Sequence, residues 1–292
     1  MSPRARTILK RLLAAAGLVL LWLALSAIAT WKLTRRSATK AEPAWEGVEA
    51  IRLRASDGIE CGAWLIPGDS AKPVVLLLHG NGVSRTHFSG LMRFLAEQHD
   101  GVMAVSLRAH GDSDGSVNDF GLSARLDVIA AVQFLAGRFP GRPVVIVGES
   151  LGSGAAIFAA KECAGVRAYL FAAPYTDLDT AVWNRCRYRL PPLLSHAAYA
   201  GLRLWAPVFF PVSVHAVRPI DHIAEIPESV PVVIVASEGD QLTRIDEVRA
   251  MQAKIASHST LVAFKEGGHG EFLTKHEAEY RQAIIDLVGA VK

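Results

Sequence analysis

VVIVGESLGSGAAIFAA, residues 144–160, passes from one periodicity to another across a single short turn. Val144 to Val147 is an unbroken aliphatic run, as expected of a strand buried on both faces. Gly152 to Cys163 is alanine-rich and reads as a helix. Between them stands Gly148-Glu149-Ser150-Leu151-Gly152, a Gly-x-Ser-x-Gly pentapeptide. A serine presented on a sharp strand-to-helix turn has a strained backbone and close neighbours, so the flanking residues must be small. Gly148 and Gly152 meet that need.

The same alternation extends outward. Val48 to Arg54 and Ile59 to Leu65 flank Ser56-Asp57-Gly58, a hairpin signal. Val74 to Leu78, Val102 to Leu107, Ala168 to Ala172 and Val232 to Ala236 are further aliphatic runs, and Val262 to Phe264 is a shorter one. Helices are expected over His87–Gln98, Ser123–Arg138, Arg244–Ala256 and Lys275–Val288. Ser123 is placed to cap its helix. Leu122, Leu126, Ile129, Val132 and Leu135 supply that helix with one apolar face for the core. Strands alternating with helices imply an α/β fold, a mostly parallel central sheet flanked by helices. In such sheets chemistry gathers at the carboxyl ends of strands.

Those ends are polar and rich in glycine. His79-Gly80-Asn81-Gly82 follows Val74–Leu78, and Arg108-Ala109-His110-Gly111-Asp112-Ser113 follows Val102–Leu107. Ser237-Glu238-Gly239-Asp240 follows Val232–Ala236, and Glu266-Gly267-Gly268-His269-Gly270 follows Val262–Phe264. A serine hydroxyl needs a base within hydrogen-bond reach and a group that orients the base. His269, in a glycine loop after the last strand, is the preferred base for Ser150, with His110 its rival. Asp240 is the preferred acid. Glu238 and Asp246 are the alternatives, although Asp246 suits the first turns of the next helix.

With these motifs in this order, residues 48 to the end resemble the α/β-hydrolase superfamily. The resemblance is nearest to its serine-aminopeptidase-like and monoacylglycerol-lipase-like branch. It implies an α/β-hydrolase fold and a triad of Ser150, Asp240 and His269. It also implies an oxyanion hole from the backbone N–H groups of Leu151 and Asn81. His110 becomes a structural loop residue and His79 a brace, while Glu149 and the Asn81 side chain are placed at the pocket entrance. Two positions depart from the pattern: Ser153 stands where a second glycine is frequent, and Thr243 where proline often follows the acid. Acyl transfer to water through an acyl-Ser150 intermediate needs no metal and no organic cofactor. Residues 174–231 form a long insertion resembling a cap, with Tyr175, Trp183, Tyr188, Tyr199, Trp205, Phe209 and Phe210 available to line an apolar pocket or to pack the cap against itself.

Leu12 to Trp31 carries no charge. At about 1.5 Å per residue such a helix spans about 30 Å, a bilayer core. Residues 1–11 read as a basic tail, 12–31 as a single-pass transmembrane anchor, 32–47 as a linker and 48–292 as the hydrolase domain. Ala27-Ile28-Ala29 offers a cleavage site for a leader peptide, but the apolar run exceeds the roughly 7–15 residues usual for one. Arg4, Arg6, Lys10 and Arg11 before the run balance Lys32, Arg35, Arg36 and Lys40 after it, so the positive-inside count is level. A short basic start favours export of the body.

The chain has 292 residues, 51% of them hydrophobic, and a net charge of +3. No basic stripe interleaved with aromatics suggests nucleic acid as a partner. Cys61, Cys163 and Cys186 are far apart and odd in number, which favours buried thiols over a disulfide framework or a metal site. The expected substrate is a small-molecule or lipid-like carboxylic ester. Aminopeptidase-type or thioester hydrolysis is the enzymatic alternative, and an inactive membrane-tethered scaffold the non-enzymatic one.

Overall fold

The computed structural model describes residues 2–37 and 43–291. Lys40, counted above among the basic flank, lies outside them. Eight strands form one sheet: β1 (Glu49–Arg54), β2 (Glu60–Ile66), β3 (Val74–Leu78), β4 (Gly101–Val105), β5 (Val144–Glu149), β6 (Val166–Ala172), β7 (Val232–Ser237) and β8 (Ser259–Phe264). Their order across the sheet is β1-β2-β4-β3-β5-β6-β7-β8. The β1–β2 and β2–β4 pairs are antiparallel, and every pair from β4 to β8 is parallel. The helices are α1 (Pro3–Thr34), α2 (Ser89–Glu97), α3 (Arg125–Arg138), α4 (Leu151–Ala159), α5 (Leu178–Arg189), α6 (Pro192–Phe209), α7 (Pro219–His222), α8 (Ile245–Ala253), α9 (Phe272–Lys275) and α10 (Glu277–Gly289).

Alternation along β3 shows how the aliphatic runs fold. Val74, Leu76 and Leu78 point into a core shared with α3, α4 and α8, while Val75 and Leu77 point into one shared with α2 and α10. All of β3 is buried. Each such side chain contributes roughly 1.5–3 kcal/mol by leaving water, so a strand with no polar face is stable only in the middle of the sheet. At the edge, β8 is half exposed. Its apolar signal is correspondingly weaker, and the strand begins at Ser259 rather than at the expected Val262.

Three further sequence expectations change. Ser123 does not cap α3, whose N-cap is Ala124 without a side-chain bond. The Ser123 N–H instead donates to the Asp119 carboxylate at 2.9 Å. The helix expected over Lys275–Val288 is interrupted at His276, leaving α9 and α10 separate. The apolar helix α1 runs past Trp31 to Thr34, and Arg35 and Ser37 then bridge to Val117 and His110. The start of the expected linker is therefore docked on the body. The Cys61, Cys163 and Cys186 thiols are free and buried.

Residues 173–231, between β6 and β7, carry α5 and α6, which line the cavity at Ser150, and α7, which packs against α4. Helix α1 lies against α6. Trp22 Nε1 donates to the Ala197 carbonyl at 3.0 Å, and Trp205 Nε1 donates to Ser26 Oγ at 3.1 Å. Ser26, Thr30 and Thr34, four residues apart, are the buried positions of α1.

Candidate active site

Ser150 sits between β5 and α4 with φ 49° and ψ −106°, a conformation that L residues rarely adopt. The turn holds it there. Its N–H donates to the Ala172 carbonyl at 2.8 Å, and its carbonyl accepts from the Gly154 N–H at 3.1 Å. A Cβ on Gly152 would lie 2.1 Å from the Leu78 carbonyl oxygen, and one on Gly148 would lie 2.8 Å from the Gly152 backbone. Both glycines are therefore demanded by contact. Ser153, the departure noted above, is fully buried and donates its hydroxyl to the Gly148 carbonyl at 2.7 Å. It closes the turn that a glycine would leave unbraced.

His269 reaches Ser150 from the loop after β8, where Gly267 (φ 112°) and Gly270 (φ 73°) make the reversals. His269 Nε2 lies 2.9 Å from Ser150 Oγ, and its Nδ1 lies 2.8 Å from Asp240 Oδ2. The three side chains form one continuous hydrogen-bonded line. Burial would raise the Asp240 carboxyl, but the hydrogen bonds from His269 and Thr243 outweigh it and the net shift is downward. The carboxylate stays ionised beside the imidazole.

The alternatives lie elsewhere. Glu238 is half exposed, and Asp246 pairs with Arg244 at the start of α8. His110 is buried, its Nδ1 at 2.9 Å from the Arg108 carbonyl. His79 braces the loop after β3: Nδ1 donates to the Gly80 carbonyl at 2.7 Å, while Nε2 accepts from the Leu107 N–H at 3.0 Å. Burial pushes its pKa down to about 3, so the ring stays neutral. A Cβ built on Gly80 lies 3.6 Å from Ser150 Cβ, which puts the loop beside the hydroxyl. The N–H groups of Asn81 and Leu151 are donors to no other protein group among the described residues. The Asn81 side chain is tied down, accepting from Asn118 Nδ2 at 2.6 Å.

Two cavities meet at Ser150. The larger, about 850 Å³, runs under α5 and α6 and is mostly apolar; the smaller, about 210 Å³, is bounded by His87, Glu149 and His269. Glu149 accepts from His87 Nε2 at 2.9 Å and from the Tyr280 hydroxyl at 3.4 Å. Its carboxylate is thus already engaged.

The sequence reading gave no role to two residues of the site. Thr243 donates its hydroxyl to Asp240 Oδ2 at 2.7 Å and its N–H to Oδ1 at 3.0 Å. The Asp-x-x-Thr spacing, in which an Asp accepts from backbone and hydroxyl a few residues on, carries that signal. Arg185 of α5 lines both cavities and has no hydrogen-bond or salt-bridge partner among the described residues. Nothing in an α-helical pattern marks it.

The sequence model of the Alpha/beta hydrolase family matches residues 75–283. Human Protein ABHD12B is 30% identical over 146 residues, 48% of this chain and 40% of that protein. The lysophosphatidylserine lipase ABHD12 of Danio rerio is 35% identical over 114 residues, 38% of this chain and 29% of that protein. The match thus spans less than half the length of either relative. Among solved structures, the Pyrococcus furiosus esterase Pf2001 superposes with a TM-score of 0.72 at 19% identity, covering 88% of this chain and 98% of that one.

Proposed function

The chain belongs to the alpha/beta hydrolase family, and from that premise we propose that it is a membrane-anchored serine hydrolase cleaving carboxylic esters with a lipid-like acyl group. The observation that carries the reading is the unbroken line from Ser150 Oγ through His269 to Asp240, with contacts of 2.9 and 2.8 Å. In this reading the Ser150 hydroxyl attacks the ester carbonyl while His269 Nε2 takes its proton. Asp240 holds the imidazole in the tautomer that accepts at Nε2 and stabilises the imidazolium that forms. The tetrahedral oxyanion accepts from the Leu151 and Asn81 N–H groups, worth about 10²–10³ in rate for each donor. His269 returns the proton to the leaving alkoxide, leaving acyl-Ser150. Water then repeats the sequence and releases the acid.

The lipid-like acyl group is supported by the size and apolar lining of the larger cavity, and by relatives and solved neighbours named as a lipase and an esterase. The anchor is supported by α1, which is long and apolar enough to cross a membrane. We place the body on the exported side, in keeping with the short basic stretch in the first turns of α1, ahead of its apolar run. Engagement of Glu149 by His87 and Tyr280 leaves no free carboxylate beside Ser150 among the described residues for a substrate amine, which favours esters over peptides.

Fluorophosphonate labelling of the full chain tests the reading. Wild type is expected to label and Ser150→Ala to fail while keeping the same thermal unfolding. Labelling of folded Ser150→Ala to the wild-type level would sink it.

A further inference from the structure

The larger cavity is not enclosed by the hydrolase body alone. Leu18, Leu21, Leu25 and Leu33 of α1 form one of its walls, opposite Leu178 and Val182 of α5, and Ser150 lies in the same lining. From Leu18 to Leu33 that wall extends about 22 Å along the helix axis. Leu18, Leu21 and Leu25 are 68%, 54% and 58% exposed. They stand between the cavity and the surroundings of α1. The α1–α6 contact is specific. A Cβ on Gly201 would lie 2.4 Å from Ser26 Cβ, so the two backbones approach as only small residues permit. The outer face of α6 continues the apolar surface, with Leu193 83% and Val208 64% exposed. An anchor that only tethered the body would have no reason to supply the pocket wall.

We propose that α1 is part of the acyl-binding site and that the cap lies in the lipid beside it. A single long acyl chain then passes sideways from the bilayer between α1 and the cap and lies along Leu18–Leu33 with its ester at Ser150. The proposal rests on Ser150 as nucleophile and names the substrate class as a membrane-resident ester of one long acyl chain.

The experiment compares p-nitrophenyl palmitate with p-nitrophenyl butyrate on full-length protein in phosphatidylcholine vesicles. Leu25→Trp, which fills the cavity from the α1 side, is expected to lower the palmitate-to-butyrate ratio of kcat/KM by about tenfold or more. Leu20→Trp, on the outer face of α1, is expected to leave the ratio unchanged. Leu193→Cys labelled with bimane is expected to be quenched by doxyl lipids. An unchanged ratio in Leu25→Trp, with fluorophosphonate labelling retained, would overturn the proposal, as would quenching of the bimane by aqueous iodide alone. Loss of labelling in wild type would instead refute the nucleophile, so the two failures are distinct.

A second observation stands by itself. The Arg185 side chain lines both cavities that meet at Ser150; Asp240 acts on it through space, and it has no hydrogen-bond or salt-bridge partner among the described residues. A partly buried cation wants a directly bonded anion; Asp240 is already taken by His269 and Thr243, and the empty volume on both sides leaves that role to the substrate. We infer that Arg185 receives an anionic group, phosphate or carboxylate, on the alcohol side of the ester. The probes are 1-oleoylglycerol-3-phosphate and 1-oleoylglycerol, which share acyl chain and glycerol. Arg185→Gln is expected to lower kcat/KM for the phosphate ester by about tenfold relative to the neutral one. Arg185→Lys should recover part of the difference. Equal losses on both esters, or none on either, would refute the assignment.

Discussion

Thr243 Oγ1 and His269 Nδ1 converge on one oxygen, Asp240 Oδ2, at 2.7 and 2.8 Å. In the proposed mechanism Thr243 is therefore a positioning residue: it holds the carboxylate that holds the imidazole. Thr243→Val keeps the shape, removes the hydroxyl and leaves the backbone N–H bond to Oδ1. The expected loss is about 1.5 kcal/mol of transition-state stabilisation, roughly tenfold in kcat with little change in KM. Thr243→Ser should restore most of the rate. A Val variant with wild-type kcat across the pH profile would show that Asp240 is held without it.

Gly152 leaves no room for a side chain, because its Cβ position falls 2.1 Å from the Leu78 carbonyl oxygen. Gly152→Ala must push α4 away from β3. A destabilisation of about 1–3 kcal/mol is expected, together with a displaced Ser150 and little fluorophosphonate labelling. Gly137, with open space around its Cβ position, is the control. Gly137→Ala on α3 should stabilise slightly through helix propensity. Urea titration and labelling of both variants separate a specific clash from general intolerance.

These two sites also mark how far the sequence alone could be read. Gly152 was legible because a strand-to-helix elbow imposes a fixed spacing of small residues around Ser150. The order of strand-end loops likewise led to Asp240 and His269, whose side chains meet in line with Ser150, since parallel strands deliver their loops to one edge. Thr243 was visible only as a departure from proline, because its role depends on a rotamer facing Asp240. Arg185 and the α1 wall were not legible at all. Both arise where segments far apart in the chain meet, Trp22 against Ala197 for example, and no periodicity encodes such a meeting. Ser123 misled because a capping residue type preceded an apolar face, while Asp119 already held its N–H.

Asn81 separates a side chain from its own backbone. Its amide oxygen accepts from Asn118, and its N–H donates to no protein group among the described residues. Asn81→Ala loses the tether but keeps the donor, and a fall of at most about tenfold in kcat is expected. Asn81→Pro removes the donor and should cost about 10²–10³ in kcat. Equal rates in the two variants, with matching thermal unfolding, would mean that this N–H does not serve the oxyanion.

His79 makes stability depend on pH independently of activity. Its pKa falls to about 3 in the fold, against about 6.5 in an unfolded chain. Between those values the unfolded state binds a proton that the native state refuses, so stability drops as pH falls through that window. From pH 7 to pH 5 the expected loss from this group is about 2 kcal/mol. Burial moves His110 in the same direction, which adds to the slope. His87 moves the opposite way: its hydrogen bond to Glu149 raises its pKa, so its contribution is complete below about 6.5 and is lost as pH climbs through the raised value. His79→Gln should be less stable at pH 7, because Leu107 N–H and the Gly80 carbonyl lose well-placed partners. It should also show a pH 7 to pH 5 difference smaller than wild type by about 2 kcal/mol in urea titrations. An unchanged difference would mean that the buried ring is protonated in the native protein, and the brace between the β3 and β4 loops would then have to be built another way.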